Sequence, residues 1–421
     1  MSNITDKKIV IIGGGFAGLQ LCRKLRNKKG FHVLLIDREN HHMFQPLFYQ
    51  VATARLEPSS ISFPFRKIFQ RAKNIDFLMA NVEQIHSAEN KIQTDQGEIE
   101  FDELVIATGA YTNFFGNDSV REHSLSMKTT HEAIYIRNHT LMNFERMMEK
   151  KNKEGSKNIV VVGGGPTGVE LAGSFAEMKN LILPKDYPRL DVKDIKIYMI
   201  EGAEYPLNVM SMKAKTSAKK YLEQLGVEVI TETFVNNYDG ETVSLSTGTK
   251  IVSDNVIWAA GVKGNYVEGL NEEVEQKGNR YKVNRQSKID GYENIYALGD
   301  VAYMETEKFP NGHPQVANVA INQANTLAKN LRNPEKKLEF EYKDLGSMAT
   351  VGKHKAVVDA PFGSITGFFA WFIWMFLHLM LILSVRNKLI IFINWAWSYF
   401  TRDTSLRLIL RARQKNWGSV S

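Results

Sequence analysis

The stretch Lys7-Lys8-Ile9-Val10-Ile11-Ile12-Gly13-Gly14-Gly15-Phe16-Ala17-Gly18 decides the fold. The apolar run Ile9 to Ile12 reads as a buried parallel strand, and it breaks into glycines spaced as Gly13, Gly15 and Gly18. The first glycine permits a tight turn, the second lets backbone approach a pyrophosphate, and the third lets the following helix sit close to the strand. That helix offers unpaired N–H groups and the positive end of its dipole to phosphate. A second strand, His32 to Ile36, ends in Asp37, the position of a carboxylate that bonds an adenosine ribose. Strand, loop, helix and acid together read as a dinucleotide site, and because the unit opens the chain, FAD is the dinucleotide expected.

The same unit recurs. Asn158-Ile-Val-Val-Val-Gly-Gly-Gly-Pro-Thr-Gly-Val-Glu-Leu-Ala172 repeats strand, Gly163, Gly165, Gly168 and helix in the same order. A strand Ile195 to Ile200 follows and ends in Glu201, displaced along the chain by the inserted stretch Leu181 to Asp194. A carboxylate at Glu201 accepts a bond from a ribose 2′-OH and repels a 2′-phosphate, which favours NADH over NADPH. Two copies in one chain suggest electrons passing between two dinucleotides. Glu170 is expected in the first turn of the second loop helix, where a carboxylate would repel phosphates. It therefore needs another task, such as contact with the nicotinamide amide or proton supply to an acceptor.

Three further strands end in small residues that let backbone pass close to a cofactor. These are Phe101 to Ala107-Thr108-Gly109, Val256 to Ala259-Ala260-Gly261, and Ile295 to Gly299-Asp300. The last places a carboxylate beside the flavin ribityl hydroxyls and returns the chain to the first domain. Gln315 to Leu331 reads as a helix, apolar on one side and bearing Asn318, Asn322 and Gln323. Phe77 to Glu100 alternates like short antiparallel strands with a turn at Gly97. His41 to Ala52, rich in aromatics and interrupted by Pro46, is too irregular for a clean element, and it reads as a loop and helix start along the flavin. His41 and His42 have no third ligand at a sensible spacing, so no metal site is expected. Glu145 to Lys157 is charged and reads as a helix end and linker.

The chain has 421 residues, enough for two or three domains, and a net charge of +7. The sequence pI is near 9.1. The basic residues form no interleaved run, and no nucleic-acid motif is present, so nucleic acid is not an expected partner. Much of the excess lies in the tail, at Arg386, Lys388, Arg402, Arg407, Arg411, Arg413 and Lys415 against Asp403. A basic tail beside apolar sequence points to an anionic membrane surface. The single cysteine, Cys22, falls on the first loop helix and reads as a core residue, which excludes a disulfide framework and a redox-active dithiol. The first strand begins almost at the N-terminus, so no signal or transit peptide is expected.

The last segment differs in kind. Gly367 to Val385 carries no charged residue apart from a possible His378, and apolar blocks Leu389 to Phe400 and Leu406 to Leu410 follow with basic residues between. By length the first block could span a bilayer. Trp371, Trp374, Trp395, Trp397 and Tyr399 among basic residues instead suit helices lying in the interface, and a buried subunit contact is a third reading. Cutting the chain after about Pro361 is expected to remove the anchor.

Together these residues resemble the type II NADH:quinone oxidoreductases, single-subunit NADH dehydrogenases that do not pump protons. The resemblance runs from Lys8 to about Leu410. It is most specific at Phe44-Gln-Pro-Leu-Phe-Tyr-Gln-Val-Ala52, Val162 to Ala172, Tyr296-Ala-Leu-Gly-Asp300, Gly346-Ser-Met-Ala-Thr-Val-Gly352 and the aromatic tail. It implies an α/β fold of two Rossmann-type dinucleotide-binding domains, as in disulfide reductase-like flavoproteins, plus amphipathic C-terminal helices that anchor to membrane. The implied division is an FAD domain at 1–125 and 286–335, an NADH domain at 126–285, and a membrane-association region at 336–421.

Implied FAD contacts are Gly13, Gly14, Gly15, Ala17, Gly18, Asp37, Arg38, Gln45, Val82, Ala107, Thr108, Gly109, Gly299, Asp300 and Ala320. Implied NADH contacts are Gly163, Gly165, Pro166, Thr167, Gly168, Glu170, Glu201, Ala260 and Gly261. Glu170, Gln323, Asn322 and Asn318 are the implied catalytic residues, and no metal is implied. The family often shows Ala-Gln-x-Ala-x-Gln on the helix near the quinone ring. This chain has Ala317-Asn-Val-Ala-Ile-Asn-Gln323, with shorter amides at Asn318 and Asn322 that Gln323 or a water could offset.

The resemblance further implies hydride transfer from NADH to non-covalent FAD and two-electron reduction of ubiquinone or menaquinone. It also implies a homodimer, peripheral or monotopic on the cytoplasmic face of the cell membrane. A sulfide:quinone oxidoreductase would need more cysteines than Cys22. A soluble ferredoxin or rubredoxin reductase leaves the aromatic tail unexplained. A slow-turnover flavin redox sensor is the reading from outside enzymology.

Overall fold

The computed structural model describes residues 6–148, 157–271, 275–276, 278–401 and 406–410. Most of the charged linker after Met148, and Arg402, Asp403, Arg411, Arg413 and Lys415 of the tail, lie outside the described residues. Two compact units divide the chain. The first takes Met1–Met43, Ser62–Asn113 and Val262–Asp344, and the second takes Phe44–Ile61, Phe114–Gly261 and Leu345–Ser421.

In the first unit a five-stranded parallel sheet runs in the order Ile295–Ala297, Glu103–Ile106, Lys7–Ile12, Phe31–Asp37, Ile75–Met79. Ile9 stands opposite both Val33 and Glu103, so the glycine loop leaves from the strand at the centre of the sheet. The strands are continuous apolar runs because both faces are covered, as parallel sheets require. One loop helix, Phe16–Leu25, packs beside Ala317–Arg332 and buries Ala17, Leu21 and Cys22. Of the alternating stretch Phe77 to Glu100, the first strand joins the parallel sheet. Val82–His86, Lys91–Thr94 and Gly97–Glu100 then form an antiparallel sheet of their own, turning at Gly97 with φ +112°. His41 to Ala52 is more regular than its sequence suggests. His41–Met43 pairs with Ser62–Pro64, a 3₁₀ turn covers Gln45–Leu47, and a short helix spans Phe48–Ala52.

The second unit repeats the plan with four parallel strands in the order Val227–Ile230, Lys196–Ile200, Asn158–Val162, Asn255–Trp258. Its loop helix, Pro166–Glu177, widens into a π-helical turn at Met178–Ile182, where the inserted stretch begins. An antiparallel sheet, Ser347–Thr350, Ala356–Ala360 and Gly363–Gly367, lies against that helix. Contact is close because position 173 is glycine: a Cβ there would come within 2.8 Å of the Gly352 amide nitrogen.

Two tail helices follow, Phe368–Leu381 and Val385–Thr401. Among the described residues, no helix is long and apolar enough to cross a membrane. The tail instead bends after Leu381 and keeps only a few side chains inside, Trp374, Ala370 and Ile391 among them, while many of its aromatic and aliphatic groups stay exposed. The third apolar block, Leu406–Leu410, forms no helix.

Candidate functional site

Each unit carries a phosphate-type cradle, and the two are built alike. Gly13 has φ +100° and Gly163 φ +105°, in the left-handed region where a side chain is strained. A Cβ would also stand 2.4 Å from the Ala107 carbonyl oxygen in one and 2.5 Å from that of Ala259 in the other. At Gly18 and Gly168 a Cβ would lie 1.9 Å from the carbonyl oxygens of Gly13 and Gly163, so helix meets loop only without side chains. Gly15 and Gly165 differ, because nothing lies within 4 Å of a Cβ built there. Both open faces sit at helix N-termini that have no capping side chain and no acid in the first turn. A helix N-terminus without a capping side chain suits an anion such as a pyrophosphate.

The acid predicted beside each loop is tied to it. Asp37 accepts N–H bonds from Gly14 at 2.6 Å and Glu39 at 2.8 Å. Burial raises its pKa and these two donors oppose the rise. Glu201 accepts from Gly164 at 2.5 Å and Ala203 at 2.8 Å. With one edge of the carboxylate held by backbone, the remaining lone pairs suit a ribose diol. With NADH in this cradle, as expected from the sequence, Glu201→Gln would raise KM for NADH about tenfold and narrow the preference over NADPH at unchanged kcat, because ground-state and transition-state binding suffer alike. Steady-state kinetics with both nucleotides checks this.

Around the first cradle, Ala17, Gly299 and Ala320 converge: a Cβ on Gly299 would lie 3.2 Å from the Ala320 methyl and 3.6 Å from that of Ala17. The Gly299 N–H donates to Gln323 Oε1 at 2.8 Å, and the Asp300 carbonyl accepts from Gln315 at 2.9 Å. Thr108 donates to the Asn265 carbonyl at 2.6 Å, and Gly109 turns with φ +71°. Val82 packs at the edge of the core, and Arg38 is exposed. Gln45 is exposed and belongs to the second unit.

The amides expected on the quinone side point in different directions. Gln323 is buried on Gly299, whereas Asn322 donates to Asn318, and Asn318 to the Lys343 carbonyl, on the outer side of the helix. Gln323 thus spends its amide oxygen on the Gly299 N–H. Glu170 lies in the second unit and these three residues in the first.

Glu170 also corrects the expectation placed on it. The helix begins at Pro166, so Glu170 is its fifth residue, beyond the first turn and away from the amides that face an anion. Its side chain is 7% exposed and accepts the Thr350 N–H at 3.2 Å. Burial pushes its pKa up to about 8 against the pull of Thr350 and Trp374, so the carboxyl holds its proton at neutral pH. The Trp374 indole N–H is buried, meets no acceptor at full hydrogen-bond geometry, and lies beside this carboxyl.

Thr350 and Trp374 also line a small cleft. Trp371, Trp374 and Met375 wall it from the first tail helix, and Trp395, Ser398 and Tyr399 from the second. Tyr49, Gln50 and Arg55 complete it with the Thr350–Lys353 turn. Arg55 pairs with Glu177 at 2.6 Å. Lys353 donates to the carbonyls of Ser398 and Tyr399 at 2.9 and 2.6 Å, where a cation suits the negative end of a helix. An aromatic cleft with few, fixed polar groups suits a planar apolar ligand with polar oxygens. Sequence reasoning did not pick out Tyr49, Gln50, Thr350 or Lys353 singly, although three of the motifs behind the resemblance contribute to this one place.

Comparison with known proteins agrees with this layout. The sequence model of the pyridine nucleotide-disulphide oxidoreductases matches residues 7–324, and that of the NDH2 C-terminal domain matches residues 345–403. The type II NADH:quinone oxidoreductase Ndh of Mycobacterium tuberculosis is 32% identical over 416 residues, covering 94% of this chain and 88% of that one. The Staphylococcus aureus type II NADH:quinone oxidoreductase is 29% identical over 367 residues, covering 83% and 89%. In fold, NDH2 from Plasmodium falciparum in complex with NADH superposes with a TM-score of 0.87 at 21% identity, over 96% of this chain and all of that one. A sulfide:quinone oxidoreductase from Aquifex aeolicus gives 0.71 at 21% identity, over 94% and 96%. With the two cradles, the tail domain and a relative matched along nearly its whole length, this chain belongs to the type II NADH:quinone oxidoreductases.

Proposed function

We propose that this protein is a membrane-associated enzyme that passes two electrons from NADH through non-covalent FAD to a membrane quinone, ubiquinone or menaquinone, without pumping protons. The observation that carries the reading is the doubled cradle, each with an open helix N-terminus and a carboxylate tied to its loop. The Gly13–Gly18 loop, Asp37 and the Ala17, Gly299 and Ala320 cluster would hold FAD, which when bound supplies the two-electron relay. The Gly163–Gly168 loop and Glu201 would hold NADH.

The net reaction is NADH + H⁺ + quinone → NAD⁺ + quinol. One of the two hydrogens gained by the quinone arrives with the electrons, and the other is a proton from solvent. Glu170, protonated at neutral pH and set behind the walls of an aromatic cleft, is the group on this chain suited to deliver it. The cleft would take the quinone ring, and the exposed apolar side chains of the tail would rest in lipid with Arg386 and Lys388 toward headgroups. Attachment at the cytoplasmic face and pairing as a homodimer belong to the same reading. Sulfide chemistry has no thiol pair to use, since Cys22 stands alone and burial pushes its pKa up. A soluble ferredoxin reductase has no use for the exposed aromatic tail.

The full chain purified in detergent should be yellow with an FAD spectrum, and should oxidise NADH faster than NADPH with a short-chain quinone. A colourless protein that takes up no added FAD would overturn the reading.

A further inference from the structure

A chain of donors joins the second tail helix to Glu170. Trp395 Nε1–H donates to Gln50 Oε1 at 2.8 Å, and Gln50 Nε2–H donates to the Tyr49 hydroxyl at 2.9 Å. That hydroxyl lies 3.1 Å from Thr350 Oγ1, and Thr350 meets the Glu170 carboxyl with both its N–H and its hydroxyl. The direction of the first two links follows from chemistry. Indole can only donate, so it takes the oxygen of the Gln50 amide and turns the nitrogen toward Tyr49. Tyr49, accepting from Gln50, has its own proton available for Thr350, and we take this direction for a link that either hydroxyl could donate. Thr350, accepting from Tyr49, directs its hydroxyl proton at Glu170. Tyr49, Gln50 and Thr350 are all more than nine-tenths buried.

We propose that Trp395 is a positioning residue for Glu170: by fixing the Gln50 amide it holds a one-way relay, through Tyr49 and Thr350, aimed at the carboxyl. The apolar helix that would meet lipid is thereby wired to the acid, and a loosened tail uncouples it. The inference deepens the reading of Glu170 as proton donor and rests on it only for its consequence in turnover. Aligned donors polarise one another and favour the ionised carboxylate, so breaking the relay makes Glu170 hold its proton to higher pH. The other ionisable groups around the acid are Tyr49, Arg55 with its partner Glu177, Lys353, Tyr399 and His378. His378 is held neutral by burial, with a pKa of about 4, and burial likewise keeps Tyr49 protonated.

The test follows the carboxyl C=O stretch of the FAD-loaded, full-length protein in detergent by infrared titration. Glu170→Gln identifies the band. Trp395→Phe keeps the ring and removes the donor, and it should move the titration of that band upward by about one pH unit. Tyr49→Phe, which breaks the relay nearer the acid, should do the same, and Trp397→Phe, an exposed neighbour on the helix, should not. The basic limb of quinone turnover should move with the band. A band that titrates in the Trp395 and Tyr49 variants as in wild type overturns the wiring. A band that moves while the turnover limb stays leaves the wiring standing and removes Glu170 from the reaction.

Discussion

Glu170→Gln lowers quinone turnover about a hundredfold while FAD content, the far-UV spectrum and the rate at which NADH reduces the flavin stay within about twofold of wild type. The magnitude follows from the loss of one positioned acid; glutamine keeps the shape and can still accept the Thr350 N–H. Stopped-flow of the two half-reactions separates them, and unchanged quinone kinetics would remove Glu170 from the mechanism.

The same variant has a second signature in stability. In the folded chain the carboxyl titrates at about 8, against an ordinary value of 4.5. Between those values the folded state keeps a proton that the unfolded chain has released, so wild-type stability falls as pH rises through this window and levels off above it. Glutamine has no such term. Thermal melts from about pH 5 to about pH 9 should show the variant gaining on wild type, by an amount on the order of a few kcal/mol. Parallel melting curves would mean that the acid is not desolvated in solution.

Phe369→Asp together with Phe376→Asp frees the protein from lipid vesicles. Both rings are exposed, Phe369 at 76% and Phe376 at 54%, so neither substitution disturbs the core. Each ring that enters lipid is worth about 1.5–3 kcal/mol, and two lost rings weaken partitioning by about a thousandfold. Flotation on vesicles measures this directly. Reduction of long-tailed quinones should fall with it, while a water-soluble short-chain quinone is still reduced. A double variant that still floats with the vesicles would place the anchor elsewhere.

Cutting the chain after Pro361 is a poorer experiment than the sequence suggests. It removes Gly363–Gly367, which pairs with Ala356–Ala360, and Trp374, which covers Glu170. The acid would be exposed together with the anchor, and two effects would be merged into one loss.

The cradles were legible in the chain because each is local. Strand, glycines and helix start lie within the short consecutive stretches Lys7–Gly18 and Asn158–Ala172, and steric exclusion of a Cβ dictates glycine wherever backbone crosses backbone. The apolar, tryptophan-rich tail was equally plain from composition, and so was the isolation of Cys22. The surroundings of Glu170 were not. Its contact with Thr350 closes a separation of 180 residues, Tyr49 with Thr350 closes 301, and Gln50 with Trp395 closes 345. Apolar patterning announces that such segments are buried, but it does not say which remote segment each will meet. That choice belongs to the packing of strand Ser347–Thr350 against a helix carrying glycine at position 173, and it decided that a carboxyl placed by its sequence near phosphates sits behind Thr350 and Trp374 in the wall of an aromatic cleft instead.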